Sequence, residues 1–248
     1  MQGMLEVRTR VKTDGVWQEA VTHRSIAPTR SAVLVCDVWD THWCRTAAER
    51  CAELAIRIDE LAREARRAGA QIIHSPSGTL DYYRETPQRR RMESVTLVEP
   101  LQLLELPDPE LPIDDSDGGC DTGECEVHRP WTRQHPAVEI DGGDVISDDG
   151  TEVYSFLRGR EIETLFFTGV HVNMCVLDRP FGIKQMTKWG VQCVLVRDLT
   201  DSMYNPRRPP YVSHDEGTRL VVEHIERNWC PTTTSCQLIG LMRVMTDA

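Results

Sequence analysis

Two side chains offer the most direct chemistry in this sequence, Cys175 and Asp37. Cys175 follows the apolar run Thr164-Leu165-Phe166-Phe167-Thr168 and the turn Gly169-Val170-His171-Val172-Asn173-Met174. A strand, a glycine turn and a helix put the thiol in a first helical turn, where free N–H groups and the helix dipole favour its thiolate. Asp37 closes residues 31–36, a nearly all-apolar run. Ligands of open parallel sheets bind outside such strand ends, so the thiol and the acid both lie where a site is expected. The competing reading of Cys175 is a buried core thiol. Trp39, Asp40, His42 and Trp43 follow Asp37 closely, and His74 ends the run Gln71-Ile72-Ile73-His74.

These positions gain meaning from the elements around them. Residues 31–36 read as a central parallel strand, apolar on both faces. Residues 46–68 form a helix, with Leu54, Ile58, Leu61 and Ala65 at helical spacing and Gly69 closing it. Strands follow at 71–74, 164–168 and 192–196, and helices at 151–160, 174–189 and 213–228, the last with Asp215 and Glu216 in its first turn. Residues 237–244 are a strand or a packed tail, and residues 1–30 an edge hairpin or arm. The pattern predicts an α/β protein, a three-layer α/β/α arrangement with a central, mainly parallel sheet. Ligands bind such sheets outside the carboxyl ends of the strands, where the residues above lie.

Residues 106–133 break the pattern with four prolines, three glycines and the run Asp114-Asp115-Ser116-Asp117. This is an inserted loop, and loops of that length serve as lids, interfaces or binding elements. The acidic run reads as a solvated face, since the twelve-residue calcium-loop spacing is not met. Cys120, Cys125 and His128 resemble a zinc site only superficially, without a second cysteine pair. The basic run Arg89-Arg90-Arg91 reads as a solvated or interface patch. No linker divides residues 1–248, so a single domain is expected.

Lys and Arg number 28 against 39 Asp and Glu, a formal charge of −11. That balance argues against nucleic-acid partners. No apolar run reaches the roughly 20 residues of a membrane span, and the first residues lack a signal-peptide core, so a cytoplasmic chain is expected. In a reducing compartment the nine cysteines are thiols rather than a disulfide framework.

The stretch from Ile162 to Val176, the later run Gly190-Val191-Gln192-Cys193-Val194-Leu195-Val196-Arg197-Asp198 and the Val35-Cys36-Asp37 strand end resemble the isochorismatase-like cysteine hydrolases, which include nicotinamidases and related amidohydrolases. The resemblance implies a Rossmann-like topology, Cys175 as nucleophile and Asp37 as acid and base. It further implies a cis peptide between Val170 and His171, an oxyanion hole of the His171 and Cys175 N–H groups, and a homo-oligomer, dimer or tetramer. The activity implied is hydrolysis of a C–N bond in a small amide, imide or ureide through a thioester-type intermediate, with no cofactor.

The sequence departs from the family in one important place. The family's third catalytic residue is a lysine just after the strand that here reads Gly143-Asp144-Val145-Ile146-Ser147. Asp148 and Asp149 stand there instead, and no lysine occurs between Lys12 and Lys184. Arg133, Arg179 and His42, in that order, are the candidates for a replacement partner of Asp37. An aspartate beside Asp37 would raise its pKa by repulsion. Trp39, His42, Trp43, His74, Asp148, Arg133 and Arg179 are the candidate substrate contacts. Nicotinamidases carry a metal site after the second strand, which Ser75-Pro76-Ser77-Gly78-Thr79 does not match; Asp40, His42 and His74 are an alternative metal set, with substrate contact the favoured reading. The missing lysine leaves two further functions open: a non-catalytic member binding a small ligand or partner, and vinyl-ether hydrolysis of the isochorismatase type.

Overall fold

The computed structural model describes residues 2–101, 103–122 and 126–246. The chain opens with β1 (Gly3–Thr13) and β2 (Val16–Ile26), paired antiparallel along their whole length. Asp14 and Gly15 join them with positive φ at both residues, the turn that matches the twist of a hairpin. The body then runs β3 (Ser31–Cys36), α1 (Arg45–Arg67), β4 (Gln71–Ser75), α2 (Leu80–Tyr83), α3 (Pro87–Glu93) and β5 (Val145–Ile146). It continues with α4 (Gly150–Gly159), β6 (Thr164–Val170), α5 (Cys175–Asp178), α6 (Ile183–Lys188), β7 (Gln192–Asp201), α7 (His214–Asn228), β8 (Thr232–Thr233) and α8 (Ser235–Thr246).

The strands form one sheet in the order β2-β1-β8-β7-β6-β3-β4-β5, parallel from β8 to β5. The hairpin extends it antiparallel, through the pairing of Arg8 with Thr232. Alternation along β3 sorts its side chains between two cores. Ala32, Leu34 and Cys36 pack with α4, α5, α6 and α7, while Val33 and Val35 pack with α1 and α8. Both faces are thus covered, which is why these strands read as unbroken apolar runs.

Four segments differ from the sequence reading, each for a local reason. Residues 174–189 are two short helices, because Pro180 has no N–H to donate and forces the preceding residue out of helical ψ. Arg179 accordingly sits at φ −59°, ψ 154°. Residues 237–244 are helical, with Leu238, Ile239 and Met242 buried on one face. The irregular segment spans 94–144, well beyond 106–133; among its described residues only the bridge from Trp39 to Gln134 is strand-like. The basic run is solvated only at Arg90, which pairs with Glu85 on the surface. Arg89 clasps Glu152 and the Ile146 carbonyl, and Arg91 donates to the Asp144 and Gly142 carbonyls, so the two pin the short strand β5. Among the described residues no helix is long and apolar enough to cross a membrane.

Candidate active site

Asp37 and Cys175 meet at the carboxyl edge of the sheet, at the ends of the adjacent strands β3 and β6. β3 pairs with β6 up to Cys36 and Gly169, so the residues that follow emerge side by side. The strands approach closely there, and a Cβ on Gly169 would lie 2.0 Å from the Cys36 carbonyl oxygen; its φ of +100° also suits only glycine. The peptide bond between Val170 and His171 is cis. Asn173 then locks the turn, accepting from Met203 N–H and donating to the Met203 carbonyl and to Asp115. Cys175 begins α5 and is partly exposed.

Asp37 is fully buried and sits in the left-handed region at φ 47°, which few non-glycine residues adopt. Its Oδ1 accepts from Ser77 N–H at 2.6 Å, and its Oδ2 accepts from Arg179 Nε at 3.0 Å. Burial raises its carboxyl above the ordinary range, while the Arg179 charge, the Cys175 thiol and Ser77 each hold part of that rise back. Burial also pushes the Cys175 thiol up; the Asp37 charge adds to this and Arg179 opposes it. The sulfur and the carboxylate thus act on each other across the two strand ends. The helix dipole does not lower this thiol, because α5 is a single turn of four residues and carries little macrodipole. The His171 N–H faces the sulfur.

Arg179, and not Arg133, is the cation at Asp37. Against the cost of its own burial, the Asp37 charge raises the guanidinium's pKa further. Arg133 instead donates to the Tyr82 hydroxyl at 2.9 Å and lies against that ring. Asp148 accepts from Gly78 N–H at 2.9 Å, next to the Ser77 N–H that serves Asp37. It holds the turn after β4 and is not among the charges that move Asp37. The elevation of Asp37 thus comes from burial, not from repulsion.

An aromatic wall stands beside this pair. Trp39 stacks on Trp131 at 4.1 Å between ring centroids, Trp131 on His42 at 5.6 Å, and His42 meets His171 edge-on at 5.1 Å. Trp43 adjoins His42 and packs over Gly118. The Trp39 indole is buried and donates to the Ser77 carbonyl. Burial keeps both imidazoles neutral, His42 at about 4 and His171 at about 3. Nδ1 of His42 accepts from Cys44 N–H, and Nε2 of His171 has no partner among the described residues.

His74 lies elsewhere. It is fully buried on the α1 face of the sheet, its ring nitrogens bonded to Gln134 and Asp144, and Asp144 is paired in turn with Arg66. Asp40 accepts from Thr132 and Arg133 N–H, so it pins the returning loop. Asp40, His42 and His74 are therefore not gathered into a metal set.

The loop 114–122 carries another correction. Cys44 and Cys120 form a disulfide, Cα to Cα 5.8 Å, so these two of the nine cysteines are not thiols. A separation of 76 residues hid this pairing from the sequence. The acidic run is tied down as well: Asp114 pairs with Arg208, Asp115 with Asn173 and Asp117 with Asn205. Ligand atoms of Cys44, Cys120 and Asp121 lie within 4.8 Å of one another, but the sulfurs are bonded and Asp121 accepts from Thr46 and Arg50. Of the zinc-like triplet, Cys125 lies outside the described residues, and His128 is exposed and bonded to the Glu126 carbonyl.

Three contributors escaped the sequence reading. The Ser77 N–H and Trp131 depend on how loops return, although a proline–tryptophan pair in an otherwise polar loop was an available signal. Asn173 looked like an ordinary turn residue.

No protein-family model matches the sequence, and no curated protein does. Solved structures do match. A cysteine hydrolase from Pseudomonas syringae pv. phaseolicola is 19% identical with a TM-score of 0.58, over 89% of this chain and 95% of that one. An isochorismatase from Pseudomonas putida is 12% identical with a TM-score of 0.50, over 85% and 91% of the two chains. An isochorismatase family protein from Desulfovibrio vulgaris is 15% identical with a TM-score of 0.50, over 86% and 98%. The chain has the isochorismatase-like α/β fold.

Proposed function

We propose that the chain is a cysteine-dependent hydrolase that cleaves a C–N bond of a small amide, imide or ureide. One observation carries the reading: a partly exposed thiol lies close to a buried carboxylate whose charge is held by an arginine. The sulfur attacks the carbonyl carbon as its proton passes to Asp37, so the weak nucleophile is activated only at the moment of reaction. The N–H groups of His171 and Cys175 receive the tetrahedral oxyanion. When the C–N bond breaks, Asp37 returns the proton to the leaving nitrogen and a thioester remains. Asp37 then takes a proton from water, whose oxygen attacks the thioester; the acid departs and the thiol is restored. Arg179 takes the part that the resemblance gives to lysine, from a different element. Its charge keeps a buried carboxylate ionised, which burial alone disfavours.

The test is ammonia release from a panel of primary amides, ureides and N-carbamoyl compounds. On an active compound, Cys175→Ala and Asp37→Asn should each abolish turnover while the fold persists, because nucleophile and base act as a unit. Full activity in Cys175→Ala would exclude the thioester route and favour the vinyl-ether chemistry that needs only the acid.

A further inference from the structure

The contact between Arg179 and Asp37 uses one of the five N–H donors of a guanidinium, the Nε. The two Nη groups have no hydrogen-bond partner among the described residues. The Arg179 side chain is 34% exposed while that of Asp37 is wholly buried, so the outer edge of the guanidinium opens to solvent beside the sulfur. Asp37 takes the inner edge alone, and other acidic side chains of this region are engaged elsewhere. Asp178 pairs with Lys184 at 2.9 Å, Asp148 accepts from Gly78 and Asp40 from Thr132. Four residues from the nucleophile, the guanidinium thus keeps an edge of unbonded donors.

We propose that this edge of Arg179 binds a carboxylate of the substrate, so that the hydrolase acts on amides bearing an anionic group close to the scissile carbonyl. The inference rests on the cysteine-hydrolase reading. A planar fork of donors matches a carboxylate bidentately, which a lysine ammonium cannot do. One residue thereby holds the base with its inner edge and the substrate with its outer edge. Arg129, whose guanidinium reaches over Gly78, adds a second positive group near the same turn.

Two alkylating reagents that differ by one charge test this without knowing the substrate. With either, the Cys175 sulfur displaces iodide to form a thioether and loses its proton. Iodoacetamide is neutral, iodoacetate anionic, and the neutral reagent is the faster one toward an ordinary thiol. Peptide mass spectrometry separates labelling of Cys175 from that of the exposed Cys236. The expected result is a saturable reaction of iodoacetate at Cys175, about tenfold faster than iodoacetamide, the worth of a charge-assisted contact. Succinate should protect. Arg179→Gln should restore the ordinary order, and Arg179→Lys, which keeps the charge without the fork, should fall between. Should the glutamine variant not fold, the protection by succinate in the unaltered protein decides. Faster labelling of Cys175 by iodoacetamide, with no succinate protection, would overturn the anionic substrate and leave the hydrolase reading in place. No labelling of Cys175 by either reagent, with Cys236 labelled normally, would remove the nucleophile and this inference together.

Discussion

Nε of Arg179 donates to Oδ2 of Asp37 at 3.0 Å across a sequence separation of 142 residues. Pro180 makes this contact possible. By ending α5 after one turn it swings Arg179 to extended ψ and away from the helical path.

The pH profile follows from that pair. The base must be ionised, so kcat/KM should rise with pH through the pKa of Asp37, above the ordinary value of about 3.9. Arg179→Gln removes an attraction that lowers this pKa. Its ascending limb should therefore move to higher pH. Arg179→Lys should recover most of the displacement. An unmoved limb in the glutamine variant would show that Arg179 does not govern the base.

The Cys44–Cys120 disulfide should dominate the response to reductants. It closes a loop of 76 residues, which by the chain-entropy account contributes about 4 kcal/mol. Reduction, or a Cys44→Ser, Cys120→Ser double variant, should lower Tm by about 10 °C. An unchanged Tm would mean that Thr46 and Arg50, which grip Asp121, suffice to hold the loop. The bond also departs from the nine free thiols expected of a reducing compartment.

Acid should destabilise the fold before the carboxylates titrate. His42 and His171 are held neutral, at about 4 and about 3. In the unfolded chain they bind protons below about 6.5, so stability falls as pH drops from there and levels off near the folded values. His214 works oppositely. Despite its burial, Asp201 raises its pKa, so its contribution is present below 6.5 and lost as pH rises through the folded value. His135 and His224 are depressed by burial as well, so four depressed imidazoles outweigh one raised one, and urea midpoints should decline steadily from pH 6.5 to 4. His171→Gln should flatten part of that slope; an equally steep slope would place the burial cost elsewhere.

The strands and long helices were legible because β3, β6 and α1 carry their burial pattern in consecutive residues. Asp37 and Cys175 were legible too, since strand ends and a glycine turn announce the carboxyl edge of a sheet. What failed was pairing over distance. His74 looked equally well placed at its strand end, but its ring turns to the α1 face, where Gln134 and Asp144 wait. Arg133 precedes the expected strand, yet its loop is fixed by Asp40 and carries its guanidinium to Tyr82. Arg179 could have been chosen over it from Pro180 alone, as the one arginine near the thiol that cannot stay in a helix.

On the proposed reading the cation rides four residues behind the sulfur, and the loop after β5 has no catalytic duty. That loop is then free to shorten and to turn acidic, as Asp148 and Asp149 have. A signature keyed to a lysine in that loop passes over this chain entirely. One keyed to cysteine, three residues, then arginine and proline would gather any others built on the same plan, and whether they too lack the lysine is a question that sequence alone can answer.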